Sequence, residues 1–161
     1  ESADWVRKYP NLIVSRTFSK AYGLAGLRVG FAIAQPEVTD LMNRIRQPFN
    51  VNSLAQAAAI AALNDKEFLE KGARNNAEGY KQMTAAFDEL KLEYVPSFGN
   101  FVLVRVGDDD GAGARVNVAL LKQGVIVRPV GAYGLPQWLR ISIGLPQENA
   151  TFIEALRKAL S

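Results

Sequence analysis

Apolar and polar positions alternate along the chain in two rhythms. An apolar run, Leu12-Ile13-Val14, marks a strand over Asn11 to Arg16, and a second run marks a strand from Arg28 to Ala34. Before them, residues 1–10 fit a short helix, with Ser2 or Asp4 as cap and Pro10 as stop. Pro36 suits the first turn of a helix running to about Arg46, and Val38, Leu41, Met42 and Ile45 fall at helical spacing. Gln47 to Val51 breaks the pattern. Ser53 then caps an alanine-rich helix, Leu54 to Leu63, that suits close packing against a neighbour. A long polar helix, Lys66 to Leu90, follows, with its middle poor in large apolar groups. Such a helix often bridges two domains, which puts the boundary in or near it.

Beyond it the rhythm becomes that of a small α+β unit. Strands are expected at Leu92 to Val95, Asn100 to Val106, Val125 to Val127 and Trp138 to Ile143. Helices are expected from Ala114 to Gln123, ended by Gly124, and from Pro146 through Phe152, Ile153, Leu156 and Leu160. Arg128 to Pro136 reads as a loop. Gly107 to Gly113 is an acidic loop whose spacing is not that of an EF-hand, so a solvated helix cap is the better reading than a calcium site.

Composition removes several chemistries. The 161 residues suit one ordinary domain or two small ones. A net charge of +3, without a long basic run, gives no case for nucleic acid. With no cysteine and no histidine, thiolate and imidazole catalysis and metal ligation are excluded. Proton transfer then falls to lysine, a carboxylate or tyrosine. No apolar stretch is long enough to span a membrane, and the first residues do not read as a signal peptide, so a cytoplasmic location is expected.

The chemistry concentrates in Ser15-Arg16-Thr17-Phe18-Ser19-Lys20-Ala21-Tyr22-Gly23-Leu24-Ala25-Gly26-Leu27-Arg28-Val29-Gly30. A lysine in a partly dry site loses proton affinity, and its free amine can add to a carbonyl to form a Schiff base. The hydroxyls of Thr17 and Ser19 and the fork of Arg28 suit a phosphate. An amine for an aldehyde beside donors for a phosphate describes a site for pyridoxal 5'-phosphate. The segment is not a nucleotide loop, since its glycines match neither the P-loop nor the dinucleotide spacing.

This segment resembles the cofactor-lysine motif of fold-type I pyridoxal-phosphate enzymes, the aspartate aminotransferase superfamily, and within it the histidinol-phosphate aminotransferases. The likeness continues through Asn100-Phe101-Val102-Leu103-Val104, Val127-Arg128-Pro129 and Leu139-Arg140-Ile141-Ser142-Ile143-Gly144, and so covers essentially the whole chain. It implies an α/β fold: the C-terminal part of the large cofactor domain over residues 1–70, then the small α+β C-terminal domain over 71–161. It implies that Lys20 is the Schiff-base lysine and that Thr17, Ser19 and Arg28 hold the cofactor phosphate. By strand alternation Arg140 shares a face with Ser142, away from Leu139, Ile141 and Ile143. An arginine so placed ordinarily points to water or pairs with a surface acid; the resemblance makes Arg140 the substrate-carboxylate arginine. It also sets Arg128 at the substrate end of the site, with Asn100 and Tyr133 as candidates for lining it.

The implied reaction is transamination of histidinol phosphate with 2-oxoglutarate or glutamate, by a homodimer using no metal. Only nineteen residues precede Lys20, whereas the family's pyridine-facing aspartate lies on an earlier strand. The chain is therefore expected to be a C-terminal portion, inactive alone and prone to associate. Other readings stay open: an aromatic or aspartate aminotransferase, a threonine-phosphate decarboxylase, a silent binding or assembly domain, or an unrelated small α/β protein.

Overall fold

The computed structural model describes residues 2–161; Glu1, part of the expected first helix, lies outside the described residues. The chain divides into two compact units, one up to Gly72 and one over Ala73–Ser161.

In the first unit, α1 (Ser2–Lys8) leads to an antiparallel pair, β1 (Val14–Thr17) and β2 (Gly30–Ile33). Thr17 stands opposite Gly30, and a Cβ at Gly30 would lie 2.6 Å from the Arg16 carbonyl oxygen, so only glycine fits there. Ser2 opens α1, and its hydroxyl accepts from Arg16 Nη2 at 2.6 Å. Then come α2 (Pro36–Ile45), with proline at its start as expected, and α3 (Ser53–Asn64). The cap of α3 is Asn52 rather than Ser53. Its Oδ1 accepts from the Ala55 amide at 2.8 Å, and Ser53 is already helical. Ala55 and Ala59 are buried with Phe18 and Val29, so small side chains let α3 approach the hairpin closely. The expected apolar face of α2 forms, but none of its residues is buried: Leu41, Met42 and Ile45 are exposed, as are Phe49, Leu54 and Ile60.

The 24-residue α4 (Lys66–Glu89) matches the expected long helix. In the second unit its later turns meet a sheet of β3 (Tyr94–Val95), β4 (Phe101–Arg105), β5 (Arg128–Pro129) and β6 (Trp138–Ser142), in the order β3-β4-β6-β5 and antiparallel throughout. α5 (Ala112–Leu121) and α6 (Pro146–Leu160) complete it. Alternation sends Val102, Val104, Leu139 and Ile141 into one core with Met83, Phe87, Leu120, Phe152 and Leu156. Helices cover that face. The other face carries Phe101, Leu103 and Arg105 opposite Ser142, Arg140 and Trp138.

Two close approaches fix this unit. A Cβ at Gly79 would fall 2.5 Å from Ile143 Cγ2, so glycine lets α4 meet the turn after β6. Buried Asn149 accepts from the Gly144 amide at 2.9 Å and donates to Gln82 Oε1 at 3.1 Å.

Several expected boundaries move. α5 begins at Ala112 instead of Ala114, because Gly113 fits against the Pro136 carbonyl, which would lie 2.4 Å from any Cβ there. The strand expected over Leu92 to Val95 shortens to Tyr94–Val95, since the Leu92 amide is bonded to the Phe87 carbonyl at 2.9 Å. Val125–Val127 is not a strand. The Val125 amide donates to the Leu120 carbonyl at 3.0 Å, still closing α5, and a cleft of about 240 Å3 lies between this segment and Ile141 and Ser142. Pairing with β6 starts only at Arg128, which lies on a strand rather than opening a loop. Among the described residues no helix is long and apolar enough to cross a membrane, and no cluster of acidic side chains suits a metal.

Candidate active site

The first group of candidate residues lies on the loop between β1 and β2. Its neck closes where the Phe18 amide donates to the Val29 carbonyl at 3.2 Å. Buried Phe18 packs on Tyr22, with ring centroids 4.7 Å apart, and on Phe31 at 6.0 Å. Apolar anchors therefore alternate with the chemical residues: Phe18 faces inward, while Thr17 and Lys20 are exposed. The Lys20 carbonyl accepts from the Gly23 amide at 2.9 Å, a tight turn completed by Gly23 at φ +70°. Thr17 Oγ1 accepts from the Ser19 amide at 3.0 Å, which fixes the turn and leaves the threonine O–H free to donate.

Arg28 does not begin a strand. It sits at φ 53°, ψ 47°, in the left-handed region, at the end of a 3-10 turn over Ala25–Leu27. Its Nη1 donates to the Ala25 carbonyl at 2.7 Å, which turns the side chain back over its own loop. Its remaining N–H groups have no partner among the described residues. One loop thus offers an amine, two hydroxyls and a guanidinium with donors to spare. This donor set fits a phosphate-bearing aldehyde such as pyridoxal 5'-phosphate.

The second group lies on the face of the four-stranded sheet opposite its own core. Arg128 on β5 and Arg140 on β6 are direct partners across the strands. Like charges so placed repel. Among the described residues neither has a carboxylate partner. Arg128 Nη2 donates to the Tyr133 hydroxyl at 3.1 Å, and Tyr133, 67% exposed, comes from a 3-10 turn over Gly131–Tyr133. The Arg140 guanidinium lies over the Phe101 ring, 4.9 Å from its centroid, and its Nε is buried with no hydrogen-bond partner. Asn100 enters through its backbone: its carbonyl accepts from the Ile143 amide at 2.9 Å and extends the ladder past Phe101.

The structure therefore brings Arg128, Arg140 and Tyr133 to one face, as it gathers Thr17, Ser19, Lys20 and Arg28 on one loop. Phe101 was not among the expected site residues. Alternation along β4 already put it on the face of Leu103; its meeting with Arg140 depends on strand register.

The family model for aminotransferase class I and II matches residues 1–156. The chain belongs to that family. Among curated class I and II relatives, histidinol-phosphate aminotransferase 2 of Ralstonia nicotianae is 76% identical over 161 residues, covering 100% of this chain and 43% of that protein. Histidinol-phosphate aminotransferase 1 of Cupriavidus pinatubonensis is 72% identical over 160 residues, covering 99% and 43%. The chain thus spans less than half the length of these relatives. A solved aminotransferase of this kind, the histidinol-phosphate aminotransferase of Sinorhizobium meliloti in complex with pyridoxal-5'-phosphate, superposes with a TM-score of 0.86 at 33% identity, covering 94% of this chain and 41% of that one. The fold is therefore that of the pyridoxal-phosphate aminotransferases, as the lysine motif implied.

Proposed function

We propose that this chain carries the cofactor lysine and the substrate arginines of an aminotransferase that interconverts histidinol phosphate and its keto form, with glutamate and 2-oxoglutarate as the exchanging pair. The observation that carries the reading is the opposed pair Arg128 and Arg140, two cations on one sheet face with no carboxylate partner among the described residues. Each substrate in this exchange bears a carboxylate or a phosphate, and a pair of forks serves both anions in turn. Identity of 76% along the full chain to a histidinol-phosphate aminotransferase supports the substrate class.

The roles follow from the side chains. The hydroxyls of Thr17 and Ser19 and the free donors of Arg28 would hold the phosphate of pyridoxal 5'-phosphate. That cofactor, when bound, supplies an aldehyde for amines and an electron sink for the pair left at the substrate Cα. Lys20 Nζ takes the Cα proton as base and gives it up again as acid. Arg140 orients the donor's carboxylate, and Arg128, with Tyr133 on its outer N–H, receives the second anion. Residues 1–70 are assigned to the cofactor domain and 71–161 to the small domain. A homodimer in the cytoplasm accompanies this reading.

The test is an absorbance titration of the full-length protein with pyridoxal phosphate, beside Lys20→Ala, followed by steady-state assays of Arg128→Ala and Arg140→Gln. A saturable visible band lost in Lys20→Ala, with weakened apparent affinity for the anionic substrates in the arginine variants, is expected. A band that persists in Lys20→Ala overturns the lysine assignment. Unchanged affinities in both arginine variants overturn the anion assignment.

A further inference from the structure

A substrate arginine faces a conflict. It must be held in place before the anion arrives, yet whatever holds it must not use the N–H groups that the anion needs. A carboxylate neighbour would fix the guanidinium but occupy its donors. Arg128 illustrates the partial form of this cost, since one of its nitrogens is already bonded to Tyr133.

Arg140 is held differently. Its direct neighbours across the strands are Leu103 on β4 and Arg128 on β5. Leu103 offers no polar group, and Arg128 pushes the charge away. Two β4 residues lie diagonal to Arg140, Arg105 opposite Trp138 and Phe101 opposite Ser142; Arg105 is a third like charge, whereas the Phe101 ring has its centroid 4.9 Å from the guanidinium carbon. A ring face attracts a cation through its quadrupole and consumes no N–H donor. The Arg140 Nε is buried and makes no hydrogen bond among the described residues, so no polar partner holds that end of the guanidinium. Phe101 itself is 37% exposed and outside the core, so packing of the fold gives it little other work.

We propose that Phe101 is a positioning residue: its ring holds the Arg140 guanidinium in place without taking an N–H donor, leaving those donors for the carboxylate of the amino donor. The inference rests on the reading of Arg140 as the anion-binding arginine. Its value lies in preorganisation. A long side chain already confined loses less freedom when the anion binds.

The experiment compares Phe101→Leu, Phe101→Tyr, Arg140→Gln and the double variant Phe101→Leu/Arg140→Gln in the full-length enzyme. Two quantities are read: KM and kcat for glutamate, and the dissociation constant of the inert dicarboxylate glutarate. Phe101→Leu should raise both KM and the glutarate constant about tenfold, with kcat changed by less than about twofold, because a uniform ground-state contact is lost. Phe101→Tyr, which keeps the ring face, should stay within about twofold of the parent. In the Arg140→Gln background the leucine change should add nothing, because no cation is left to hold. Equal losses in the leucine and tyrosine variants, or a leucine loss that persists undiminished without the arginine, overturn the inference and leave Arg140 in its role. An Arg140→Gln variant that binds glutarate like the parent overturns both.

Discussion

Arg128 and Arg140 face each other as direct partners across β5 and β6. No acid relieves them among the described residues, so this sheet face carries a repulsion that a bound anion removes. Arg128→Gln, which keeps a donor for Tyr133, should stabilise the protein by about 0.2–1 kcal/mol. The gain should shrink as salt rises. The same change should weaken binding of anionic substrates. Urea unfolding at low and high salt, set beside steady-state kinetics, checks the pair of effects; a variant that loses stability contradicts it.

The lysine loop depends on a single missing methyl. At Gly30 a Cβ would press on the Arg16 carbonyl at 2.6 Å, and backbone on a paired strand has little room to yield. Gly30→Ala should cost about 1–3 kcal/mol, as overpacking does, and loosen the hairpin neck. Hydrogen exchange at the Phe18 amide, which donates to Val29, should speed up. Gly26, where an added methyl would meet nothing within 4 Å, is the control: Gly26→Ala should leave that amide as slow as before.

Acid should weaken the second unit through Asp109. Both its oxygens accept from the Arg115 fork, at 2.8 and 2.7 Å, and the Gly111 amide adds a third bond at 2.9 Å. The hydrogen bond from Arg115, followed by that from Gly111, holds the carboxyl well below the usual aspartate range. A depressed folded-state value means stability that is present above the unfolded value and is lost as pH falls through the folded one. Asp109→Asn should therefore be less stable than the parent at neutral pH. The gap should narrow only once the pH drops below about 4. Unfolding curves at neutral, mildly acid and strongly acid pH would show it; a gap independent of pH would refute the account.

Asn149, 2% exposed, is the knot between the turn after β6 and the helix α4. Replacing it by alanine strands the Gly144 amide and Gln82 Oε1, which should cost about 1–3 kcal/mol in chemical denaturation. A cost below a few tenths would mean that water takes over both bonds.

Much of this was readable from residue order. Pro36 and Pro146 start helices where expected, because a proline loses nothing at a position whose N–H is unpaired anyway. Gly124, at φ 77°, ends α5 as glycine does. Leu139 and Ile141 turn inward and leave Arg140 on the other face, as alternation requires. The errors have one origin: they concern partners distant in sequence or choices between near-equal neighbours. Asn52 and Ser53 are both good caps, and only the reach to the Ala55 amide decides. Val125-Ile126-Val127 has strand composition, yet its first amide is taken by α5. The place of the lysine loop between two strands was legible because its residues are contiguous in the chain. Phe101 beneath Arg140 was not, because the register of β4 against β6 brings them together.

Arg28 holds a backbone shape that glycine or asparagine would adopt at lower cost. Consider what this does to the chain's descendants. A library sorted for heat resistance alone should drift toward glycine at position 28, shedding strain together with the fork. Sorted for survival on the reaction proposed here, the same library should restore arginine. On the phosphate role proposed for it, an arginine kept at position 28 retains its fork at the expense of backbone stability, and the two selections would separate these pressures.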